Sequence, residues 1–402
     1  MEEERKGHRI YKTIMLMIIT ALITALITTI VIYRNISGIT SIESIASSAD
    51  YDGLELTLAR IRTILEEEYI GTIDDEAMLE SAIKGYIEGL GDEYAAYYTA
   101  EEMEEQLETT NGNYVGIGIY MIINYEEGTI TVVEPIEGSP AEEVGLKEGD
   151  IITKVDGEEV TVDNVSTMTD KIKGEEGTTV ELEIQRDDET FTVVIERQTV
   201  TVSHIDSQML EDNIGYISIT DFEGGTADEF YENYEELVSQ GAESLVIDIR
   251  NNTGGLVDEA IAILEMLCNK GDTLLITENK SGEEEITISE EEQTISMPVV
   301  LLVNEYSASA SEIVAGALKD NNRADIVGIT TYGKGVIQTL MQLSDGSGLK
   351  ITTEEYYTPN HNEINKVGIE PDCEVELPED IEELLGDDDT QLQKAIELLQ
   401  TN

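Results

Sequence analysis

Between Ser307 and Ser311 serine and alanine alternate, and the run leads into the apolar positions Ile313, Val314, Ala317 and Leu318, which puts a serine at the start of a helix. A hydroxyl there fits two roles. Ser309 and Glu312 have the S-x-x-E spacing of a capping box, in which the serine satisfies orphan helix N–H groups. The other role is that of a nucleophile, which needs a base. Histidines are scarce: His8 lies ahead of a long apolar run, and His204 and His361 stand in plain polar contexts. A Ser-His-Asp arrangement is therefore disfavoured.

Lysine replaces histidine where its surroundings keep the amine neutral. Tyr332-Gly-Lys-Gly-Val336 isolates Lys334 between two glycines, in a strand-like stretch reaching Leu340 with few charges close in sequence. An ordinary lysine lies about 3.4 units from neutrality at pH 7, so deprotonation costs roughly 4–5 kcal/mol. Burial must remove most of that, and the pocket is expected to exclude acidic side chains and water together. Taken alone, Lys334 reads as a surface turn residue. A third feature is Asp248-Ile-Arg-Asn-Asn-Thr-Gly-Gly255, where Gly254 and Gly255 either turn exposed N–H groups toward a developing negative charge or simply close a turn.

The elements around these residues follow from periodicity. Strands are expected at Ile214 to Ile219, Ser244 to Ile249 and Pro298 to Val303, with a helix from Leu256 to Met266 between the last two, an α/β alternation. Upstream, from about Asn111 to Val200, short strands alternate with glycine turns: Gly116 to Tyr120, Thr129 to Val133, Asp150 to Val155, Val180 to Gln185 and Phe191 to Ile195. Helical spacing recurs in Leu54, Leu58, Ile61 and Leu65, and again through Met78, Leu79, Ile83, Tyr86, Ile87 and Leu90 before Gly91-Asp92 ends it. Tyr94, Tyr97 and Tyr98 read as packing under a loop. Thr390 to Leu399 forms a last helix that either packs between subunits of a homodimer or covers the core. The run Asp387-Asp-Asp389 reads as a solvated loop, since it lacks the pattern of a calcium loop.

Ile14 to Tyr33 is twenty residues without a charge, which as a helix spans about 30 Å, one bilayer core. A signal peptide is usually shorter in its apolar part, so an uncleaved anchor is expected. Arg5, Lys6, Arg9 and Lys12 precede it and only Arg34 follows closely, which places the N-terminus in the cytoplasm and the rest of the chain outside, a single-pass membrane protein.

The 402 residues carry 23 Lys and Arg against 86 Asp and Glu, a net charge of −63, with 40% hydrophobic residues. The chain is apolar enough to fold despite its charge. With no basic stripe, nucleic-acid binding is disfavoured, as are acidic substrates. Cys268 and Cys373 lie far apart in no metal-ligand spacing and read as free buried thiols. No cofactor or metal is expected.

Two resemblances follow. The run Val115-Gly-Ile-Gly-Ile119, with Gly138-Ser-Pro-Ala141 and Gly145-Leu-Lys-Glu-Gly-Asp150, resembles a PDZ domain. This implies that N–H groups around Ile117 and Gly118, within Val115, Gly116, Ile117, Gly118 and Ile119, receive the terminal carboxylate of a substrate's apolar tail, whose last residues add a strand. Lys173 would be a further contact in such a domain. The joint occurrence of Asn304-Glu-Tyr-Ser-Ala-Ser-Ala-Ser-Glu-Ile313, Tyr332-Gly-Lys-Gly-Val-Ile-Gln338 and the Asp248 to Gly255 run, with Gly89-Leu-Gly-Asp92, Tyr357-Thr-Pro359 and Gly368-Ile-Glu-Pro-Asp372, resembles the C-terminal processing peptidases, or tail-specific proteases, from about Leu54 to the last helix. The resemblance implies a serine endopeptidase with a Ser-Lys dyad. Ser309 would be the nucleophile and Lys334 the base, with Gln338 orienting the amine. Ala310 and the Gly254-Gly255 turn, Gly255 rather than Gly254, would supply the oxyanion hole. Tyr306 stands where that family has glycine and would narrow the cleft; Asn360 follows Thr-Pro where a glycine is common.

The expected architecture is multidomain α/β: cytoplasmic tail and transmembrane helix (1–34), linker (35–53), a small helical module (54–110), a PDZ-like β domain (111–200), a peptidase core (201–380) and a C-terminal helical segment (381–402). The alternative is a noncatalytic, membrane-anchored PDZ peptide-binding or assembly protein, which would have no need of Ser309 and Lys334.

Overall fold

The computed structural model describes residues 51–401 except 111, 137, 379–380, 382–383 and 387. The expected anchor over residues 14–33 lies outside the described residues, among which no helix is long and apolar enough to cross a membrane. The chain divides into two compact units, residues 1–81 and 82–402.

In the first unit, helix α1 (Tyr51–Glu68) is followed by the start of α2 (Asp75–Glu88). Arg62 reaches Glu66 at 3.1 Å and Asp75 at 2.9 Å, which fixes the turn between the helices. Leu54, Leu58 and Ile61 recur at helical spacing, as read from the sequence, but face solvent.

The second unit contains the rest. Strand β1 (Ala96–Tyr98) and helix α3 (Ala100–Thr110) precede the glycine-rich β region: β2 (Asn113–Gly116), β3 (Ile119–Asn124), β4 (Thr129–Pro135), the short α4 (Pro140–Glu143), β5 (Ile151–Val155), β6 (Glu158–Glu159), α5 (Val165–Ile172), β7 (Thr179–Arg186), β8 (Glu189–Glu196) and β9 (Gln198–Thr201). The main sheet here runs β3-β4-β5-β7-β8, so β3 is an unpaired edge. Its alternating residues Ile130, Val132, Ile152, Leu182 and Ile184 bury one face against Val165, Met168 and Ile172 of α5. Asp150, fully buried, accepts the Lys147 N–H at 2.9 Å and two Arg186 bonds at 2.6 and 2.7 Å, which explains why that turn ends in an acid. The ribbon β2–β9 stands apart from this sheet.

The α/β part comprises β10 (Ile205–Met209), β11 (Ile214–Ile219), α6 (Thr226–Gln240), β12 (Ser244–Asp248), α7 (Val257–Leu267), β13 (Thr273–Asn279), β14 (Glu284–Ile288), β15 (Val299–Val303), α8 (Ala310–Asp320), β16 (Ala324–Gly328), β17 (Val336–Gln342), β18 (Gly348–Tyr357), β19 (Cys373–Glu374) and α9 (Thr390–Thr401). Strands β11, β12, β15, β16 and β19 are parallel neighbours, with β10 antiparallel at one edge. Both faces are covered, which is why the strands read as unbroken apolar runs. Leu245, Ile247, Leu301 and Val303 face the helices α6 to α8, whereas Val246, Val300 and Leu302 face Leu392 and Ala395 of α9. The apolar stripe of the last helix is thus spent on the core.

Asp389, at the N-terminus of that helix, is not in a solvated loop. It is fully buried and bound to Arg250 at 2.8 and 3.0 Å, while Arg250 also holds Asp248 at 2.6 Å. Two carboxylates around one guanidinium make the burial affordable. Cys268 is buried and Cys373 half-buried; both are free thiols. A second sheet, β1-β18-β13-β14 with β17 on β18, brings residues 96–98 against Gly348–Lys350.

Candidate active site

Three loops leave the carboxyl ends of the adjacent parallel strands β12, β15 and β16 and meet there, where open α/β sheets form their crevices. They carry Asn252 to Gly255, Asn304 to Ser309 and Thr331 to Gly335.

The first loop fixes the serine run. The Asn252 carbonyl accepts the Ala308 N–H at 3.0 Å and the Ser311 hydroxyl at 2.9 Å. Ser307 donates its hydroxyl to the Ile249 carbonyl at 2.8 Å. Both flanking serines are fully buried and committed, whereas Ser309 is only half-buried. Its backbone lies at φ 57°, ψ −116°, outside the regions an L-residue prefers and a conformation that collects at functional sites. Gly254 packs against it: a Cβ added there would lie 2.7 Å from Ser309 Cβ and 2.8 Å from the Ala308 oxygen. The Gly254 N–H donates to Asn252 Oδ1 at 2.8 Å, so it is already engaged. Gly255 at φ 134° bridges Phe222, which only a residue without a Cβ allows, the Phe222 oxygen lying 2.4 Å from the missing atom.

Glu312, on the first turn of α8 and fully buried, joins the second and third loops. One oxygen accepts the Ser309 N–H at 3.0 Å and the Lys334 N–H at 2.8 Å; the other accepts the Thr331 hydroxyl at 2.6 Å and the Gly333 N–H at 2.7 Å. The glutamate half of the expected capping box is therefore formed, but it reaches much further than a cap. Tyr356 closes the same link from β18, its hydroxyl donating to the carbonyls of Ser309, at 3.0 Å, and of Lys334. Burial pushes that hydroxyl far above the usual tyrosine range, and Glu312 and Tyr94 add to the shift, so it stays a donor.

The glycines beside Lys334 are required. Gly333 sits at φ 92°, and a Cβ on Gly335 would meet the Asn365 nitrogen at 2.3 Å. The lysine is no surface turn. Burial holds its amine below the ordinary value, and the Lys350 ammonium lowers it further, while Glu312 and Glu93 pull the other way. The expectation of an acid-free pocket thus fails: a buried carboxylate adjoins the lysine, but its oxygens are filled by four donors from the surrounding loops. The amine lies 4.6 Å from the centroid of the Tyr94 ring, so this tyrosine packs against the lysine rather than under a loop.

Gln338 points its amide elsewhere, donating to Thr352 Oγ1 at 3.2 Å. His204 pairs with Glu223 at 3.2 Å and His361 with Glu284 at 2.9 Å. Tyr306 stands exposed at the rim, as does Tyr332. Among the described residues no cluster of metal-ligating side chains occurs.

In the β region, Val115 and Gly116 belong to the β2–β9 ribbon, paired with Thr199 and Gln198. Ile117 is buried, Gly118 turns at φ 75° against Ser139, and Ile119 opens the edge strand β3. The five residues are contiguous but serve two different sheets. Lys173 is the exposed cap of α5.

The sequence model of peptidase family S41 matches residues 213–375, and that of the PDZ domain matches 131–186. The carboxy-terminal processing protease CtpA of Bacillus subtilis (strain 168) is 36% identical over 345 residues, 86% of this chain and 74% of that protein. The chain belongs to peptidase family S41. A probable CtpA-like serine protease of Staphylococcus aureus (strain N315) is 35% identical over 323 residues, 80% of this chain and 64% of that protein. Among solved structures, the photosystem II D1 C-terminal processing protease is similar at 30% identity, covering 82% of this chain and 89% of its own, with a TM-score of 0.48. This S41 serine peptidase therefore combines a PDZ domain with the peptidase core. Reasoning from the sequence missed Glu312 as a link between loops, and it missed Tyr356, Asn252 and Tyr94. Only Glu312 had a local signal, the S-x-x-E spacing.

Proposed function

We propose that this S41 peptidase cleaves protein and peptide substrates through an acyl-enzyme on Ser309, with Lys334 as base. The observation that carries the choice is the contrast within the serine run: the hydroxyls of Ser307 and Ser311 are spent on buried carbonyls, and Ser309, strained and half-buried, is the one tied through Glu312 and Tyr356 to the lysine loop. Neutral Lys334 takes the Ser309 proton as Oγ attacks the peptide carbonyl. The oxyanion is received by the Ala310 N–H and by Gly255, since the Gly254 N–H is engaged by Asn252. The lysine ammonium then protonates the leaving amine, and the freed base activates the water that releases the acyl group. In this reading Gln338 orients the amine during turnover, after leaving Thr352.

The PDZ domain would bind the apolar C-terminal tail of a substrate along the edge strand β3, its carboxylate at the Ile117-Gly118 turn. The uncharged stretch over residues 14–33, preceded by four basic residues, supports a single-pass anchor that leaves the catalytic part outside the cytoplasm. The test is hydrolysis of matched peptides with free or amidated C-termini by wild type, Ser309→Ala and Lys334→Arg. Both variants should be inactive, since guanidinium keeps its proton at working pH, and amidation should raise KM. Full turnover by either variant would refute the dyad, and equal use of the two peptides would refute the tail reading.

A further inference from the structure

Tyr94 reaches the site from far upstream. The chain turns after α2, Asp92 accepts the Tyr94 N–H at 3.0 Å, and two residues later β1 pairs with β18, the strand that carries Lys350, Thr352 and Tyr356. The sheet register therefore holds the ring against the amine, 4.6 Å from centroid to Nζ. Four residues on, Tyr98 meets Lys350 similarly at 5.6 Å. An aromatic face attracts an ammonium and gains little from a neutral amine. The ring thus favours the charged lysine, against the effects of burial and Lys350.

We propose that Tyr94 is a positioning residue for Lys334: its ring face seats the amine and, by favouring the ammonium, sets the pH above which the base is available and stabilises the charge it gains as Ser309 attacks. The proposal rests on Lys334 being the base. The other groups facing the amine are Lys350 from β18, Glu312 from α8 and Glu93 from the turn before β1, which act on it through space. Glu93, Tyr332 and Asp92 act on the ring hydroxyl, which burial raises to about 12, and Tyr356 has its hydroxyl on two carbonyls. The ring is thus the aromatic contact of the amine, 4.6 Å from its centroid to Nζ.

The test is the pH profile of kcat/KM of the full chain on a peptide substrate, for wild type, Tyr94→Phe, Tyr94→Leu and a series with phenylalanine bearing one to three ring fluorines at position 94, which weaken the charge on the face at nearly constant shape. Tyr94→Phe should keep the wild-type midpoint of the acid limb. Tyr94→Leu and the trifluoro variant should lower that midpoint by about 0.4–1.5 pH units, graded with fluorine number, and reduce the alkaline plateau about two- to thirtyfold. A midpoint independent of fluorine number in folded enzyme overturns the proposal, as does a Tyr94→Phe shift as large as that of Tyr94→Leu. Lys334→Arg, run alongside, separates the two claims. Its turnover would remove the base itself, whereas an inactive Lys334→Arg beside an unmoved fluorine series would remove only the role of Tyr94.

Discussion

Glu312 and Lys334 are bound back to back: the carboxylate of the first accepts the backbone N–H of the second at 2.8 Å, through the same oxygen that accepts the Ser309 N–H at 3.0 Å. One buried acid thus sets the spacing between the helix start that carries the serine and the loop that carries the lysine, whose amine lies 4.6 Å from the centroid of the Tyr94 ring.

Replacing Glu312 by glutamine keeps the size but leaves one acceptor oxygen for four donors, with an NH2 facing the other two. The fold should survive, and kcat should fall about a hundredfold from displacement of the reacting groups. Steady-state kinetics with circular dichroism check this; unchanged kcat would mean that the clamp does not position the site.

Gly254→Ala places a methyl group 2.7 Å from Ser309 Cβ, on a backbone at φ 114°. Something must shift, and the nearest neighbour is the serine itself. Activity should drop about a hundredfold or more with a smaller loss of stability, whereas Gly138→Ala, also at positive φ but with open space around it, should leave kcat near wild type.

The lysine amine sits below its ordinary value first through burial and then through Lys350. Lys350→Gln removes the like charge, so the ammonium becomes easier to keep and the acid limb of kcat/KM moves to higher pH. Above the limb, activity should rise roughly three- to tenfold, because the charge the lysine gains as Ser309 attacks is no longer opposed. Glu93→Gln should move the limb the other way, because Glu93 favours the charged form.

For Asp389, burial pushes the carboxyl up, but the Arg250 bonds and the Leu392 and Leu385 N–H groups outweigh it and hold it below 3.8. The unfolded chain therefore binds this proton at higher pH than the folded one, so the stabilisation is present above the usual carboxylate range and is lost as pH falls through the depressed value. Asp389→Ala leaves Arg250 short of a partner and should cost about 3–5 kcal/mol in urea unfolding at neutral pH, with a smaller difference from wild type at low pH.

What the sequence disclosed was local. Ser309, Lys334 and Gly254-Gly255 each sit in a run whose glycines or small residues mark a tight turn, and the apolar strands β11, β12 and β15 carry their burial in their composition. What it hid was distant. Arg250 and Asp389 lie 139 residues apart, and no periodicity marks an acid after two others as buried. Tyr94 meets Lys334 only because β1 pairs with β18, and Glu312 meets Lys334 only because β15 and β16 are parallel neighbours. Such pairings are set by sheet register, which a single sequence leaves open. The first fifty residues, including the stretch read as an anchor, fall outside the described structure.

The proposed nucleophile is one serine of three, Ser309, activated by Lys334. Labelling the full chain with a fluorophosphonate, followed by peptide mass spectrometry, tests it directly. The adduct should form on Ser309 alone, be absent in Ser309→Ala and form at least a hundredfold more slowly in Lys334→Ala. An adduct on Ser307 or Ser311, or labelling of Lys334→Ala at the wild-type rate, would contradict it.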